Sequence, residues 1–146
     1  FDECNALKIP YTIHAGENGP YSEVDKAVKI GSRRIGHGIH SIDNASTIKL
    51  LKDNDVLLEV CPTSNVQTNS VDTYENHPIK KLYDMGVKVC INTDNKTISN
   101  ITLNEEYMKL AEVFGFNLFD FKMMNINAIN SAFLSDEEKN ELLKQL

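Results

Sequence analysis

Four short apolar runs of the sequence lead into residues whose side chains are suited to metal or proton chemistry. The four motifs that contain these residues are His14-Ala-Gly-Glu17, Gly36-His37-Gly38, Glu59-Val60-Cys61-Pro62 and Asn92-Thr93-Asp94-Asn95. Imidazole nitrogens and carboxylate oxygens are zinc ligands, and a catalytic zinc keeps one open position for a water molecule whose pKa it lowers. Parallel α/β barrels carry their reacting groups at the carboxyl ends of the strands. The pattern therefore predicts a metal-hydrolase site built from four strand ends.

The candidate metal-site residues are widely spaced along the chain. His37 lies 23 residues after His14, and Asp94 lies 57 residues after His37. These spacings are too long for a local metal motif, so only converging strand ends would bring the three together. A zinc site needs at least a third ligand, and the other two histidines are poor candidates. We expect His40 to make a structural hydrogen bond beyond its strand, and His77 to stand at a helix start on the opposite side of a βα unit.

The residues around these candidates also have expected roles. Glu17 follows His14 by three residues, on the turn rather than in the strand. Its carboxyl group can therefore face the mouth of the site without binding the metal, where a proton donor reaches a substrate. The glycines beside His37 let the backbone pass close to whatever occupies the site. The small polar residues of Cys61-Pro62-Thr63-Ser64-Asn65 are typical of an Asx or Ser/Thr turn that stabilises a loop.

Alternating strands and helices must position these residues. Runs rich in β-branched residues predict strands, and segments opened by Ser or Pro and closed by Gly predict helices. Strands are predicted at 11–13, 34–35, 56–60 and 87–91, with helices between them at 22–30, 45–52 and 78–85. This alternation indicates a parallel sheet with right-handed crossovers.

The last third of the sequence is predicted to be helical. Helices are expected at 103–114, at 118–133 and from Ser135 onwards, where Ser135-Asp-Glu-Glu138 has the form of a capping box. The polar stretch 65–76 is predicted to be a mobile loop over the mouth of the site.

The length of the chain limits how much of a barrel it can form. A complete (β/α)8 barrel needs roughly 250 residues, and this chain has 146. Four strands make half of such a barrel, and the opening residues Phe1–Leu7 read like the end of a helix. We therefore expect residues 1–146 to be a single half-barrel fragment that begins inside a fold.

Composition excludes several classes of partner. The net charge of −6 and the lack of a basic cluster argue against nucleic acid, because phosphate neutralisation needs concentrated Lys and Arg. No apolar stretch approaches the ~20 residues that span a bilayer, so no membrane partner is expected. Cys4, Cys61 and Cys90 form an odd set without C-x-x-C, which indicates reduced thiols that pack as small hydrophobes in a cytoplasmic protein.

Taken together, these motifs closely resemble the C-terminal half of adenosine deaminases in the amidohydrolase superfamily. The resemblance extends over essentially the whole chain, from His14-Ala-Gly-Glu17 to the tail that begins at Asn125. It implies a zinc-bearing (β/α)8 barrel of which this chain supplies the fifth to eighth strands, followed by C-terminal helices. The resemblance also implies one Zn²⁺ per complete site and a purine nucleoside as substrate.

The resemblance implies a role for each candidate residue. His14 and Asp94 would bind zinc, and Glu17 would protonate purine N1 while an activated water attacks C6. His37 would orient that water and help to deprotonate it, with Asp94 able to share the proton. Gly16 and Asn95 would contact the substrate. Many family members have Asp where this chain has Asn95, whose amide can donate a hydrogen bond to purine N7 at any pH.

One departure from the family pattern concerns the metal. The His-x-His pair that the family carries on its first strand is absent from these residues, so two of the four protein ligands would be missing. We expect deamination of adenosine or 2′-deoxyadenosine to inosine or 2′-deoxyinosine in the intact protein, with this chain inactive by itself. An adenine deaminase and a non-catalytic half-barrel module are the alternatives. The exposed edges of a half barrel predict self-association or pairing with the N-terminal half.

Overall fold

One sheet of four parallel strands organises the computed structural model, which describes all 146 residues. The strands are β1 (Thr12–Ala15), β2 (Arg34–His37), β3 (Leu57–Val60) and β4 (Lys88–Ile91). Each strand pairs with its neighbour in sequence, in the order β1-β2-β3-β4. A run of consecutive parallel strands is the arrangement found in (β/α)8 barrels. The predicted α/β architecture of four parallel strands with helices between them is confirmed.

Helices connect the strands and form the end of the chain. They are α1 (Asp2–Ala6), α2 (Tyr21–Lys29), the 3₁₀ helix Ile39–Asp43, α3 (Ala45–Asp53), α4 (Pro62–Gln67), α5 (Ile79–Asp84), α6 (Lys96–Ser99), α7 (Leu103–Phe114), α8 (Leu118–Asn130) and α9 (Asp136–Leu143). The predicted helices are found within a few residues of their expected bounds, and the predicted capping box at Ser135 is present. None of the helices has the length and apolar character that crossing a membrane requires.

The two faces of the sheet differ in chemistry because side chains alternate along each strand. Ile13, Ile35, Leu58 and Val89 lie side by side across the four strands. They form an apolar row that belongs to, or packs against, the buried core cluster shared with the helices. The residues one position further along form the row His14, Gly36, Glu59 and Cys90 on the other face. The parallel register therefore separates a core face from a largely polar face.

The segment after β3 differs from its prediction. Residues 62–67, which include most of the expected turn, form the helix α4, with Pro62 in its first turn. Proline suits that position because its missing N–H has no helical partner there. The next backbone N–H, from Thr63, donates to the buried carboxylate of Glu106 at 3.0 Å. The turn prediction at 61–65 and the start of the predicted loop were therefore wrong, because a partner on α7 satisfies the first turn of a helix.

Two glycines with nearly the same backbone conformation differ in the space around them and allow a matched test of the packing next to His37. Gly38 and Gly115 have φ values of 68° and 69°. A Cβ at Gly38 would lie 2.5 Å from Leu58 Cδ2, whereas a Cβ at Gly115 would meet nothing within 4 Å. Gly115→Ala should cost only the left-handed strain of about 1–2 kcal/mol. Gly38→Ala should cost about 2–5 kcal/mol because overpacking adds to the strain.

The measurement is the free energy of unfolding of both variants by urea denaturation of the full-length protein. Equal losses for the two variants would show that contact with Leu58 does not limit residue 38.

Candidate active site

A cleft of about 290 Å³ opens at the carboxyl ends of the strands. Every strand, or the residues directly after it, contributes to the lining, which consists of His14, Gly36, His37, Glu59, Cys61, Asn92, Thr93 and Asp94. The polar row of the sheet supplies part of this lining, and the residues that follow β3 and β4 supply the rest. The structure thus brings His14, His37 and Asp94 into one cleft, as the prediction of converging strand ends requires.

The imidazole of His14 lies over the neighbouring strand β2. A Cβ at Gly36 would lie only 2.8 Å from His14 Cδ2, so the absence of a side chain at Gly36 provides the space for the ring. The His14 and His37 ring centroids are 5.3 Å apart. Gly36 therefore has a packing function in the site, and this function follows from its register with His14.

His37 and Asp94 have strained backbones, with φ values of 62° and 58°. Left-handed conformations of residues with a Cβ cost about 1–3 kcal/mol and persist only where the surroundings hold them. Two neighbouring residues of α4 provide such contacts. Ser64 Oγ donates to Asp94 Oδ2 at 2.8 Å, and Asn65 Nδ2 lies 3.0 Å from His37 Nδ1. One short helix thus contacts both strained residues.

Glu17 lies beside His37 rather than in the lining of the cleft. Its Oε2 is 3.4 Å from His37 Nε2, and its Oε1 is 3.5 Å from Thr68 Oγ1. Burial lowers the pKa of His37, while the charges of Glu17 and Asp94 oppose this effect. The net direction is downward, so the buried ring of His37 favours the neutral form.

The sequence reasoning assigned no role to Glu59, which the structure places in the cleft. Arg34 Nε donates to Glu59 Oε1 at 2.9 Å, and the guanidinium also lies over the ring of Phe133. This ion pair neutralises Glu59, whereas Glu17 and Asp94 form no ion pair with Lys or Arg. The alternation of side chains along β3, which places Glu59 on the His14 face, is the signal that could have identified it.

The two residues predicted to contact the substrate lie outside the cleft lining. Asn95 caps α6, because its Oδ1 accepts from the backbone N–H groups of Thr97 and Ile98. This use of the oxygen leaves the amide N–H₂ group as the free end of the side chain. Gly16 is buried, and its carbonyl accepts from His40 N at 3.0 Å. Substrate contact by Gly16 and Asn95 stays a prediction.

The expectation for His40 is confirmed, and that for the cysteines holds for two of the three. His40 Nδ1 pairs with Asp43 Oδ2 at 2.9 Å, a structural hydrogen bond of the kind expected. Of the three cysteines expected to pack as small hydrophobes, Cys61 and Cys90 are buried, whereas Cys4 is only half-buried. Burial raises the pKa of the Cys61 thiol and raises that of Cys90 to about 12. Both side chains therefore remain protonated thiols that pack as small residues.

The prediction for His77 was wrong. Its ring is only 2% exposed, and its Nε2 lies 3.2 Å from Asn65 Oδ1, two hydrogen bonds away from the cleft. A helix that returns the chain between parallel strands runs antiparallel to them, so it begins at the end where the strands finish. The start of α5 is therefore on the same side as the site, and not on the opposite side.

The residues in the cleft meet part of the requirement for a metal. His14 and Asp94 offer the nitrogen and oxygen donors that zinc accepts, but a catalytic zinc is held by at least three protein ligands. No group of three or more His, Cys, Asp or Glu side chains in the chain is arranged to hold a metal ion. The chain by itself therefore supplies two of the donors and not a complete site.

Comparison with known proteins gives consistent matches. The sequence model of the family described as adenosine deaminase matches residues 1–146. Adenosine deaminase from Clostridium acetobutylicum is 45% identical over 143 residues, which are 97% of this chain and 42% of that protein. The crystal structure of adenine deaminase from Arthrobacter aurescens superposes with a TM-score of 0.93 at 30% identity, covering 98% of this chain and 44% of that one.

A further structural match carries a metal. An amidohydrolase from Burkholderia ambifaria with bound Zn superposes with a TM-score of 0.85 at 28% identity, covering 94% of this chain and 39% of that one. The chain therefore spans about two fifths of the length of the relatives that it matches. These superpositions confirm that the four strands and their helices have the fold of part of an amidohydrolase barrel.

The burial of His77 gives a prediction for stability. Burial lowers its pKa to about 4, and the neighbouring His37 acts in the same direction. The pKa of an unfolded histidine is about 6.5, so between these values the unfolded chain binds a proton that the folded chain excludes. The free energy of unfolding must therefore fall as the pH falls from 7 to 5, by about 2 kcal/mol for this residue.

Replacing the titrating ring should remove that part of the pH dependence. His77→Gln should lose about 2 kcal/mol less than the wild type between pH 7 and pH 5, because glutamine does not titrate. Urea denaturation of the full-length protein at both pH values measures the difference. The same loss in both proteins would mean that the ring of His77 is protonated in the folded state.

Proposed function

Because the chain belongs to the adenosine deaminase family, we propose that it is part of an enzyme that hydrolytically removes the amino group of adenosine or 2′-deoxyadenosine. The observation that carries this proposal is the shared cleft of His14, His37 and Asp94, with the carboxylate of Glu17 beside His37. An activated water and a proton donor are the two requirements for hydrolysing a ring amidine. The cleft and the adjoining Glu17 offer residues for both.

The donors of the cleft fit a zinc ion in their chemistry. His14 and Asp94 would hold the metal together with ligands from the rest of the full-length protein, and the bound ion would lower the pKa of a water molecule. The zinc-bearing amidohydrolase of the same fold supports this assignment. Gly36 supports it sterically, since it leaves room for the His14 ring.

The remaining residues act on the water and on the purine. His37 borders the cleft, where it orients the water and helps to deprotonate it, and the carboxylate of Asp94 can share the water's proton. Glu17 supplies a proton to ring nitrogen N1, which makes C6 accept the nucleophile. The amino group then takes up the proton removed from the water and leaves as ammonia, while the hydroxyl at C6 gives its proton to the enzyme as the C6 carbonyl of inosine or 2′-deoxyinosine forms. Asn95 is suited to donate its free N–H₂ group to purine N7, because α6 occupies its oxygen.

Adenine is the second candidate substrate. The structural match to adenine deaminase, at a TM-score of 0.93 over 98% of this chain, favours keeping it. Parallel assays of the full-length protein with adenosine, 2′-deoxyadenosine and adenine, each with and without a zinc chelator, separate the possibilities. Turnover of adenosine that disappears with the chelator is expected. Turnover of adenine alone would assign the second function.

Removal of the Glu17 proton donor should affect the chemical step. Glu17→Gln keeps the size and the oxygen near Thr68 but removes the carboxyl proton, so kcat should fall about 10²- to 10⁴-fold with little change in KM. Zinc content should stay at the wild-type level, because Glu17 is not a proposed ligand. Glu75→Gln, an exposed glutamate of the loop after α4, is the matched control and should keep full activity. A wild-type rate in Glu17→Gln would remove Glu17 from the mechanism.

The 146-residue chain by itself should neither retain zinc nor remain monomeric. Its outer strands β1 and β4 each have only one strand partner, and a free sheet edge invites pairing with another chain. Asn127 Nδ2 donates to Val89 O at 3.3 Å and so covers part of the β4 edge, which leaves β1 as the more open edge. Light scattering should report particles heavier than the 16.4 kDa monomer. A stable and active monomer would contradict both parts of this proposal.

A further inference from the structure

Three buried side chains form a hydrogen-bonded row that leads from α5 to the cleft. His77, Asn65 and His37 are 2%, 0% and 2% exposed. His77 Nε2 is 3.2 Å from Asn65 Oδ1, and Asn65 Nδ2 is 3.0 Å from His37 Nδ1. Only the last of the three lines the cleft. The row therefore joins a residue of the site to two residues with no contact to the cleft.

A backbone group sets the direction of every hydrogen bond in the row. Ile79 N–H donates to His77 Nδ1 at 3.1 Å, and a backbone N–H can only donate. His77 Nδ1 must therefore be an unprotonated acceptor, and the single proton of the neutral ring is on Nε2. Burial, which lowers the pKa of His77 to about 4, keeps the ring neutral.

The same constraint passes through Asn65 to His37. His77 Nε2–H donates to Asn65, so the amide must present its oxygen to His77 and its N–H₂ group to His37. His37 Nδ1 then accepts from Asn65 Nδ2 and carries no proton. In the neutral ring of His37 the proton is therefore on Nε2, the atom that lies 3.4 Å from Glu17 Oε2.

We propose that His77 and Asn65 are positioning residues that hold His37 in the form protonated on Nε2. A hydrogen bond made by one ring nitrogen of a histidine commonly decides which of the two nitrogens carries the proton. Here the order is anchored at the N–H of Ile79, in the first turn of α5. The start of α5 thus determines which ring nitrogen of His37 presents a proton to the cleft.

The proposal also assigns the water's proton to one residue, and this assignment rests on the proposed deaminase function. In its neutral form His37 can donate a hydrogen bond from Nε2 to the oxygen of the water. It cannot take the water's proton at that atom, because the position is occupied. His37 therefore orients the water as a donor, and the carboxylate of Asp94 receives the proton. The two roles that the family resemblance gave to His37 are divided between two residues.

The tautomer can be measured directly. In the full-length protein labelled with ¹⁵N-histidine, the two ring nitrogens of His37 give distinct resonances, since protonated and unprotonated imidazole nitrogens differ strongly in chemical shift. We expect a protonated Nε2 and an unprotonated Nδ1 in the wild type at neutral pH. In His77→Phe the amide of Asn65 loses its fixed direction, and part of the population should carry the proton on Nδ1. A wild-type ring protonated on Nδ1 overturns the proposal.

Kinetics test whether the tautomer matters for the reaction. His77→Phe should lower kcat about tenfold, the effect of one lost hydrogen bond of about 1.4 kcal/mol, with little change in KM. His77→Gln should restore both kcat and the tautomer, because its side-chain N–H₂ group reaches the position of Nε2. Rescue by an amide would show that the N–H donor, and not only the filled volume, is required.

A matched control removes a different hydrogen bond from the same segment. Tyr83→Phe deletes the bond from the Tyr83 hydroxyl on α5 to Asp120 and leaves the row intact, so His37 resonances and kcat should match the wild type. If His77→Phe changes them no more than Tyr83→Phe does, His77 is merely structural. If His77→Phe does not fold, Asn65→Asp replaces it, because a carboxylate accepts only and draws the proton to His37 Nδ1. An unprotonated Nδ1 in that variant overturns the proposal.

The proposal and the proposed function can fail separately. Absence of deamination by a well-folded, zinc-loaded wild type would overturn the proposed function, while the NMR measurement would still decide whether the row holds His37. A wild-type tautomer in His77→Phe together with normal deamination would leave the function standing and overturn the role of the row.

Discussion

Parallel pairing in a fixed register is the constraint on which the rest of this structure depends. Because side chains alternate along a strand, the register that aligns Ile13 with Ile35 and Leu58 also aligns His14 with Gly36 and Glu59. A slip of one residue in any strand would move an apolar side chain to the polar face and a polar one into the core. The burial of the apolar row therefore stabilises the arrangement of the site as well as the fold.

The helix α4 links that sheet to the two strained residues of the site, His37 and Asp94. Its first turn is held by α7, where the buried Glu106 accepts from Thr63 N at 3.0 Å and from the hydroxyl of Tyr74. Its next two residues contact Asp94 and His37. A buried carboxylate is costly unless it is hydrogen-bonded, and here its bonds fix the helix that holds both strained residues. Packing outside the cleft thus contributes to geometry inside it.

In the hydrogen-bonded row from Ile79 to His37, groups outside the cleft likewise determine the position of a proton inside it. A backbone N–H at the start of α5 orders three side chains, since each accepts on one side and donates on the other. In the proposed reaction, His37 then donates a hydrogen bond, while the carboxylates of Asp94 and Glu17 accept and deliver protons. This division of roles is a property of the surroundings of His37, because an isolated imidazole has no preference strong enough to impose it.

The sequence by itself determined the alternation of strands and helices and the candidates His14, Glu17, His37 and Asp94. Periodicity, glycine stops and capping residues are local signals, and the chemistry available to His and Asp at strand ends can be recognised from the sequence. The helix at residues 62–67 was not predictable in this way, because its first turn depends on Glu106, more than 40 residues away. The alternation along β3 is enough to place Glu59 on the His14 face, but its position beside Gly36 and Cys90 follows from the register of β3 with β2 and β4.

Only the tertiary structure decided the role of His77. The sequence places it before a proline at a helix start, and nothing local reveals that Asn65 lies within hydrogen-bonding distance of its ring. Residue type and spacing specify which groups are available and on which face of an element they lie. The proton that each buried group carries is set by partners from other elements, and those partners meet only when the sheet, α4 and α5 pack together.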